Sequence, residues 1–144
     1  MHLLDPAPFG HIIPAMITPM RADGTIDFDA AQRVAKQLVA DGADGILVNG
    51  TTGESQHYQA VNASADKPII VYDVPGRTGV RIQLDTYRRL AELDHVTAVK
   101  DATGDIAGAV RKRMETGLDW YSGDDGLFLP FLSVGAVGII SVIA

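Results

Sequence analysis

The chain has 144 residues, 47% of them apolar and 21% charged, with a mean hydropathy of +0.11, which describes one ordinary globular domain able to bury a core. A net charge of −6, a pI near 5.0 and the lack of any local Lys/Arg cluster argue against nucleic acid or an anionic membrane as a partner. Zero cysteines exclude a disulfide framework, a thiolate metal site and a cysteine nucleophile.

The first twenty residues, MHLLDPAPFGHIIPAMITPM, hold Asp5 and several prolines where a signal peptide needs a basic start and an unbroken apolar stretch. No run reaches membrane-spanning length, and the expected location is the cytoplasm. A first strand is predicted over His11 to Thr18. Asp27 or Asp29 can then cap a helix whose Ala31, Val34, Ala35, Leu38 and Val39 share one face, with Gly42 at its C-terminal end. The second strand is Gly45 to Asn49, followed by GTTGES at 50–55 and room for one short helix. Lys67 to Tyr72 (KPIIVY) is the third strand, Leu84 to Leu93 a helix, and VTAVK at 96–100 the fourth strand. A helix opened by Asp105 and closed by Gly117 follows. The tail holds two further strand-length runs, Asp119 to Ser122 and Val137 to Ile143, around an apolar, proline-containing segment at 127–134. Strand-length runs alternating with helical periods predict β-α units around a parallel sheet.

In such folds the chemistry gathers at the carboxyl edge of the sheet, where loops are free to diversify on a fixed scaffold. Lys100 ends a β-branched run there. Desolvation favours the neutral amine, a neutral amine attacks ketones, and the resulting iminium is an electron sink that acidifies the neighbouring carbon. The competing role for the same lysine is to reach solvent or pair with Asp101. Tyr72 closes KPIIVY, where its hydroxyl could relay protons or simply bond to backbone, and Arg77 in VPGRTG could grip a carboxylate or stay a solvated loop charge. GTTGES offers backbone N–H groups and the hydroxyls of Thr51 and Thr52, but it is neither a Walker loop nor a dinucleotide fingerprint. Asp124 and Asp125 read as turn or capping residues, the four histidines are scattered, and no metal site is proposed. Trp120 reads as packing.

GTTGES, YDVPGRTG, VKDATGD, SGDD and GIISVIA follow one another in this order, and with PAMITPM they resemble the dihydrodipicolinate synthase family, class I pyruvate aldolases that also include N-acetylneuraminate lyase. The resemblance implies a (β/α)8 TIM barrel in which Lys100 forms a Schiff base with pyruvate. It further implies Tyr72 as proton donor and acceptor, Thr51 as a relay partner, Thr52 as a contact of the pyruvate carboxylate and Ile140 as a backbone contact. Arg77 would take the carboxylate of the second substrate, aspartate semialdehyde, and it argues against a sialic-acid or sugar-acid lyase. No cofactor is expected, and the family assembly implied is a homotetramer.

A barrel of eight units at ~30 residues each needs ~250 residues, so residues 1–144 are expected to form about six of the eight units. The shortfall falls near Ser55-Gln56, where a β-α loop meets the end of a later helix without turn chemistry, and the sequence also stops after its last strand. We expect a central segment to be omitted from this sequence. That segment in the family carries a second relay tyrosine, whose motif Tyr58 does not match, so a chain that truly lacks it is expected to aggregate and to be inactive. On length alone, the rival is a doubly wound, non-catalytic binding module.

Overall fold

The computed structural model describes residues 9–49 and 55–141. Six strands form one sheet: β1 (Ala15–Met16), β2 (Ile46–Asn49), β3 (Ile69–Asp73), β4 (Val96–Asp101), β5 (Asp119–Ser122) and β6 (Gly138–Ile139). They lie in chain order and every neighbouring pair is parallel. The helices are α1 (Phe28–Ala40), α2 (Ser55–Asn62), α3 (Pro75–Thr78), α4 (Leu84–Leu90), α5 (Ile106–Thr116) and α6 (Phe128–Ser133), with a 3₁₀ turn at Asp125–Leu127.

Parallel strands covered on both faces read as unbroken apolar runs, and IIVYD is buried at every position but Tyr72. Alternation then splits the core in two. Ile46, Val48, Ile69, Val71, Val99 and Trp120 join the helices in one large cluster. Leu47, Ile70 and Ala98 face the other way, with Phe9, Tyr72, Tyr121 and Ile140 packed on them. Phe9 precedes β1 yet meets Tyr121 of β5 edge to face, ring centroids 5.6 Å apart. Only a strongly curled sheet brings those two together, so the smaller cluster is a concave interior.

Most boundaries follow local chemistry. Asp27, not Asp29, caps α1 by accepting from Ala30 N at 2.9 Å, and Ala31 and Ala35 let the helix approach the sheet. Asp105 caps α5 through Gly108 N, and Gly117 ends it at φ 71°, a conformation costly for any residue with a Cβ. The predicted first strand shrinks to two residues because Pro14 has no N–H to donate and the segment before it spends Ile12 O on Asp44 N. The predicted 84–93 helix stops at Leu90, where Leu93 N turns back to Leu90 O. Among the described residues of the predicted 137–143 strand, only Gly138–Ile139 pair. Among the described residues, no helix is long and apolar enough to cross a membrane.

Candidate active site

The register places Tyr72 of β3 beside Lys100 of β4, and Lys100 beside Tyr121 of β5. All three stand on the concave face, since their neighbours Val71, Val99 and Trp120 belong to the helix-facing core. The two flanking strands shield the lysine, which is 4% exposed. Its Nζ lies over the Tyr72 ring, 4.4 Å from the centroid. Burial holds this amine below the ordinary lysine value of 10.5; the Asp125 carboxylate opposes that shift and the Arg77 guanidinium adds to it.

The pairing of Lys100 with Asp101 that the sequence left open does not occur. Adjacent residues on a strand point to opposite faces, and Asp101 turns toward the helices, where it accepts from Trp120 Nε1 at 2.9 Å and Thr103 N at 2.8 Å. Trp120 is therefore packing and donor at once. Lys112, unremarkable in the sequence, is half-buried, 4.0 Å from Asp73 Oδ2 and 5.0 Å from the centre of the Tyr87 ring.

Arg77 sits on α3, the single helical turn that Pro75 opens inside the VPGRTG loop. It is exposed and has no ion-pair partner among the described residues, and it is close enough for its charge to act on Lys100. Ile140 follows β6 and lies against the concave cluster. Its N–H is taken by Ser122 O at 2.9 Å, so any backbone contact it makes with a ligand runs through the carbonyl. Thr51 and Thr52 lie outside the described residues. Tyr58 belongs to the helix-facing core, away from the concave face.

Two residues that sequence reasoning passed over belong to this rim. Asp125, read as a turn residue, faces the lysine electrostatically while accepting from Ser141 Oγ at 2.5 Å, tying the end of β5 to the end of β6. Asp124 does serve as the turn residue, accepting from Gly126 N at 2.9 Å. Tyr121 could have been found from alternation, two residues after Asp119 and in step with Lys100. A Cβ on its register partner Gly138 would stand 3.1 Å from its ring, a tight contact that glycine avoids.

Comparison with known proteins agrees with this geometry. The model of the dihydrodipicolinate synthetase family matches residues 8–56 and 55–144. The chain belongs to that family. It is 58% identical over 210 aligned residues to the 4-hydroxy-tetrahydrodipicolinate synthase of Bifidobacterium animalis subsp. lactis, covering all of this chain and 69% of that protein. It is 35% identical over 204 residues to synthase 2 of Streptomyces coelicolor, covering 94% and 68%. Among solved structures, the dihydrodipicolinate synthase of Thermotoga maritima superposes with a TM-score of 0.74 at 33% identity, over 81% of this chain and 44% of that one. The Bacillus anthracis enzyme gives 0.72 at 27% identity over 93% and 70%. These relatives are TIM barrels, and the curled parallel sheet is part of the same architecture. The two matched stretches of the family model meet at the Ser55-Gln56 join, and the alignment with the Bifidobacterium protein is longer than the 144 residues of this chain.

Proposed function

We propose that this chain is a Schiff-base-forming lyase that joins pyruvate to L-aspartate 4-semialdehyde to give 4-hydroxy-tetrahydrodipicolinate, a step toward diaminopimelate and lysine. The observation that carries this reading is the buried Lys100 amine held against Tyr72 on the concave face.

In that chemistry the neutral Lys100 amine adds to the keto carbon of pyruvate, and loss of water leaves an iminium. The methyl carbon gives up a proton to a relay ending at Tyr72, with Thr51 as its partner, and the C–H pair becomes an enamine. The enamine carbon attacks the aldehyde of the second substrate, whose oxygen takes the proton back. The amino group that the semialdehyde brings then attacks the imine carbon, releasing Lys100 as the free amine and closing the ring. Thr52 holds the pyruvate carboxylate, the Ile140 carbonyl bounds the pocket, and Arg77 receives the carboxylate of the semialdehyde. No step calls for a metal or an organic cofactor.

We further propose that residues 1–144 are six units of the eight-unit barrel, joined at Ser55-Gln56, and that the complete enzyme is a cytoplasmic homotetramer. Imine formation needs only groups that this chain carries, whereas the proton relay calls on a second tyrosine from the central segment. The chain should thus capture pyruvate and turn over slowly or not at all. The test is borohydride reduction with pyruvate followed by peptide mass mapping. A pyruvyl adduct on the Lys100 peptide is expected, and a folded chain left unmodified at Lys100 would overturn the reading in favour of a non-catalytic binding module.

A further inference from the structure

Each residue of the imine-forming pair is followed by a carboxylate on the opposite face of the sheet. Asp73 follows Tyr72, Asp101 follows Lys100, and the two aspartates are themselves register partners, both 0% exposed. A buried carboxylate is expensive unless hydrogen-bonded, and both are fully engaged. Asp73 accepts from Tyr87 Oη at 2.9 Å and from Ile82 N at 3.4 Å, with Lys112 Nζ at 4.0 Å. Asp101 accepts from Trp120 Nε1 and Thr103 N. The donors meet as well: the rings of Tyr87 and Trp120 pack with centroids 5.4 Å apart. Asp73, Tyr87, Trp120 and Asp101 therefore form a closed circuit around the β3–β4–β5 strand ends. Backbone bonds reinforce it, Ala102 N to Asp73 O at 2.9 Å and Gly123 N to Asp101 O at 2.7 Å.

We propose that Asp73 and Asp101 are positioning residues, each fixing from the helix side of the sheet the strand residue before it, so that the circuit sets the separation and tilt of Tyr72 and Lys100. The inference rests on the imine reading above. Its basis is mechanical: a strand end is pinned by what its outward side chain holds, and the inward side chain one residue away inherits that orientation. Small displacements of reacting groups are costly in rate, on the order of a hundredfold for ~1 Å.

The two arms of the circuit predict different losses. Asp101→Asn leaves one oxygen for two donors, and Trp120→Phe keeps the ring but removes the indole donor. Both should slow borohydride-trapped adduct formation at Lys100 on the order of tenfold to a hundredfold. Tyr87→Phe, which removes the donor to Asp73 and not one to Asp101, should leave the trapping rate and the Lys100 acetylation midpoint nearly unchanged. Trp120 is the single tryptophan, so its emission reports directly on the bond to Asp101, and far-UV circular dichroism reports on the fold. A readout independent of pyruvate separates this inference from the imine reading. Competitive acetylation of Lys100 against Lys36 should show a pH midpoint that moves toward 10.5 in Asp101→Asn, with Asp125 and Arg77, the charges facing the amine, unchanged. Should the parent chain trap no pyruvate, the imine reading falls and the acetylation midpoint alone decides the positioning role. Folded Asp101→Asn and Trp120→Phe chains with parental trapping rate and midpoint would overturn it; if Asp101→Asn does not fold, Trp120→Phe decides.

Discussion

The β3–β4–β5 strand ends and helix α2 treat buried polar groups in opposite ways. Around Asp73 and Asp101 both carboxylates are supplied with donors, from Tyr87, Trp120 and two backbone N–H groups. In α2, by contrast, both ring nitrogens of His57 and the hydroxyl of Tyr58 are buried without a hydrogen-bond partner among the described residues, although the rings pack edge to face at 5.9 Å. Burial lowers the affinity of His57 for a proton and raises the Tyr58 pKa far above its usual value, with the Asp73 charge adding to the latter. Satisfied polar groups fix a unique arrangement; unsatisfied ones leave a desolvation cost without that gain. The first region is therefore where side chains can be held to a fraction of an ångström, and the second begins where the two matched stretches of the family model meet.

The largest expected effect breaks the first region at its centre. Lys100→Ala removes the only amine on the concave face among the described residues, and borohydride trapping of pyruvate should be abolished with the far-UV spectrum unchanged. Trp120→Ala comes next. It deletes the largest fully buried side chain and strips Asp101 of its indole donor, so a loss of about 3–5 kcal/mol is expected in a urea or thermal melt. An equally large loss from Tyr58→Phe, which removes only an unpartnered hydroxyl, would erase the contrast between the two regions.

What could be read from the sequence divides along the same line. Apolar runs, caps and glycines carry their own chemistry, so the six strands, the Asp105 cap and the Gly117 end needed no tertiary information, while the α1 cap was narrowed to Asp27 or Asp29. YDVPGRTG, VKDATGD and SGDD likewise mark neighbouring strand ends, and Lys100 and Tyr72 meet there. Two things were not legible. The facing of Asp101 and the donor role of Trp120 depend on register, because a one-residue change in pairing would put each on the other side. The α3 turn hides in a Gly/Pro loop too short to show a helical period, where only Pro75 at its first position hints at it. Lys112 lay unread because its partner Asp73 is far away in sequence and meets it only once α5 covers β3.

A mid-sized effect sharpens the contrast from the other side. His57→Leu replaces by apolar surface two buried nitrogens that have no partner among the described residues, and should raise stability by about 1–3 kcal/mol. Its pH signature has a definite sign. With the folded-state pKa below 6.5, the unfolded chain takes up a proton that the native chain refuses, so stability present above 6.5 is lost as the pH falls below it. Asp73 works the other way: burial raises its pKa above 3.8, so in that window the native chain keeps a proton that the unfolded chain has released, and stability grows on acidification. Melts of the parent between neutral and mildly acidic pH should show the His57 loss, and His57→Leu should remove it, leaving the opposite slope of Asp73 at lower pH.

The smallest effect belongs to the ion pairs that link α4 to α5 on the outside. Arg88 reaches both Asp85 and Glu115, and Arg111 joins Glu115 at 2.8 Å, a network that looks richer than anything inside. Yet Arg88 is nearly half exposed and Arg111 more so, water competes for every one of these charges, and holding long side chains in one geometry costs rotamer entropy. Arg88→Ala should shift the melting midpoint barely beyond error at low salt and not at all in about 1 M NaCl, where screening acts over ~3 Å. Asp73 and Lys112 are also 4.0 Å apart, but beneath α5, where that salt cannot follow. Lys112→Met should therefore change the melt by the same amount at both salt concentrations, and a salt-dependent difference there would place Asp73 among the surface charges rather than in the circuit that holds Tyr72.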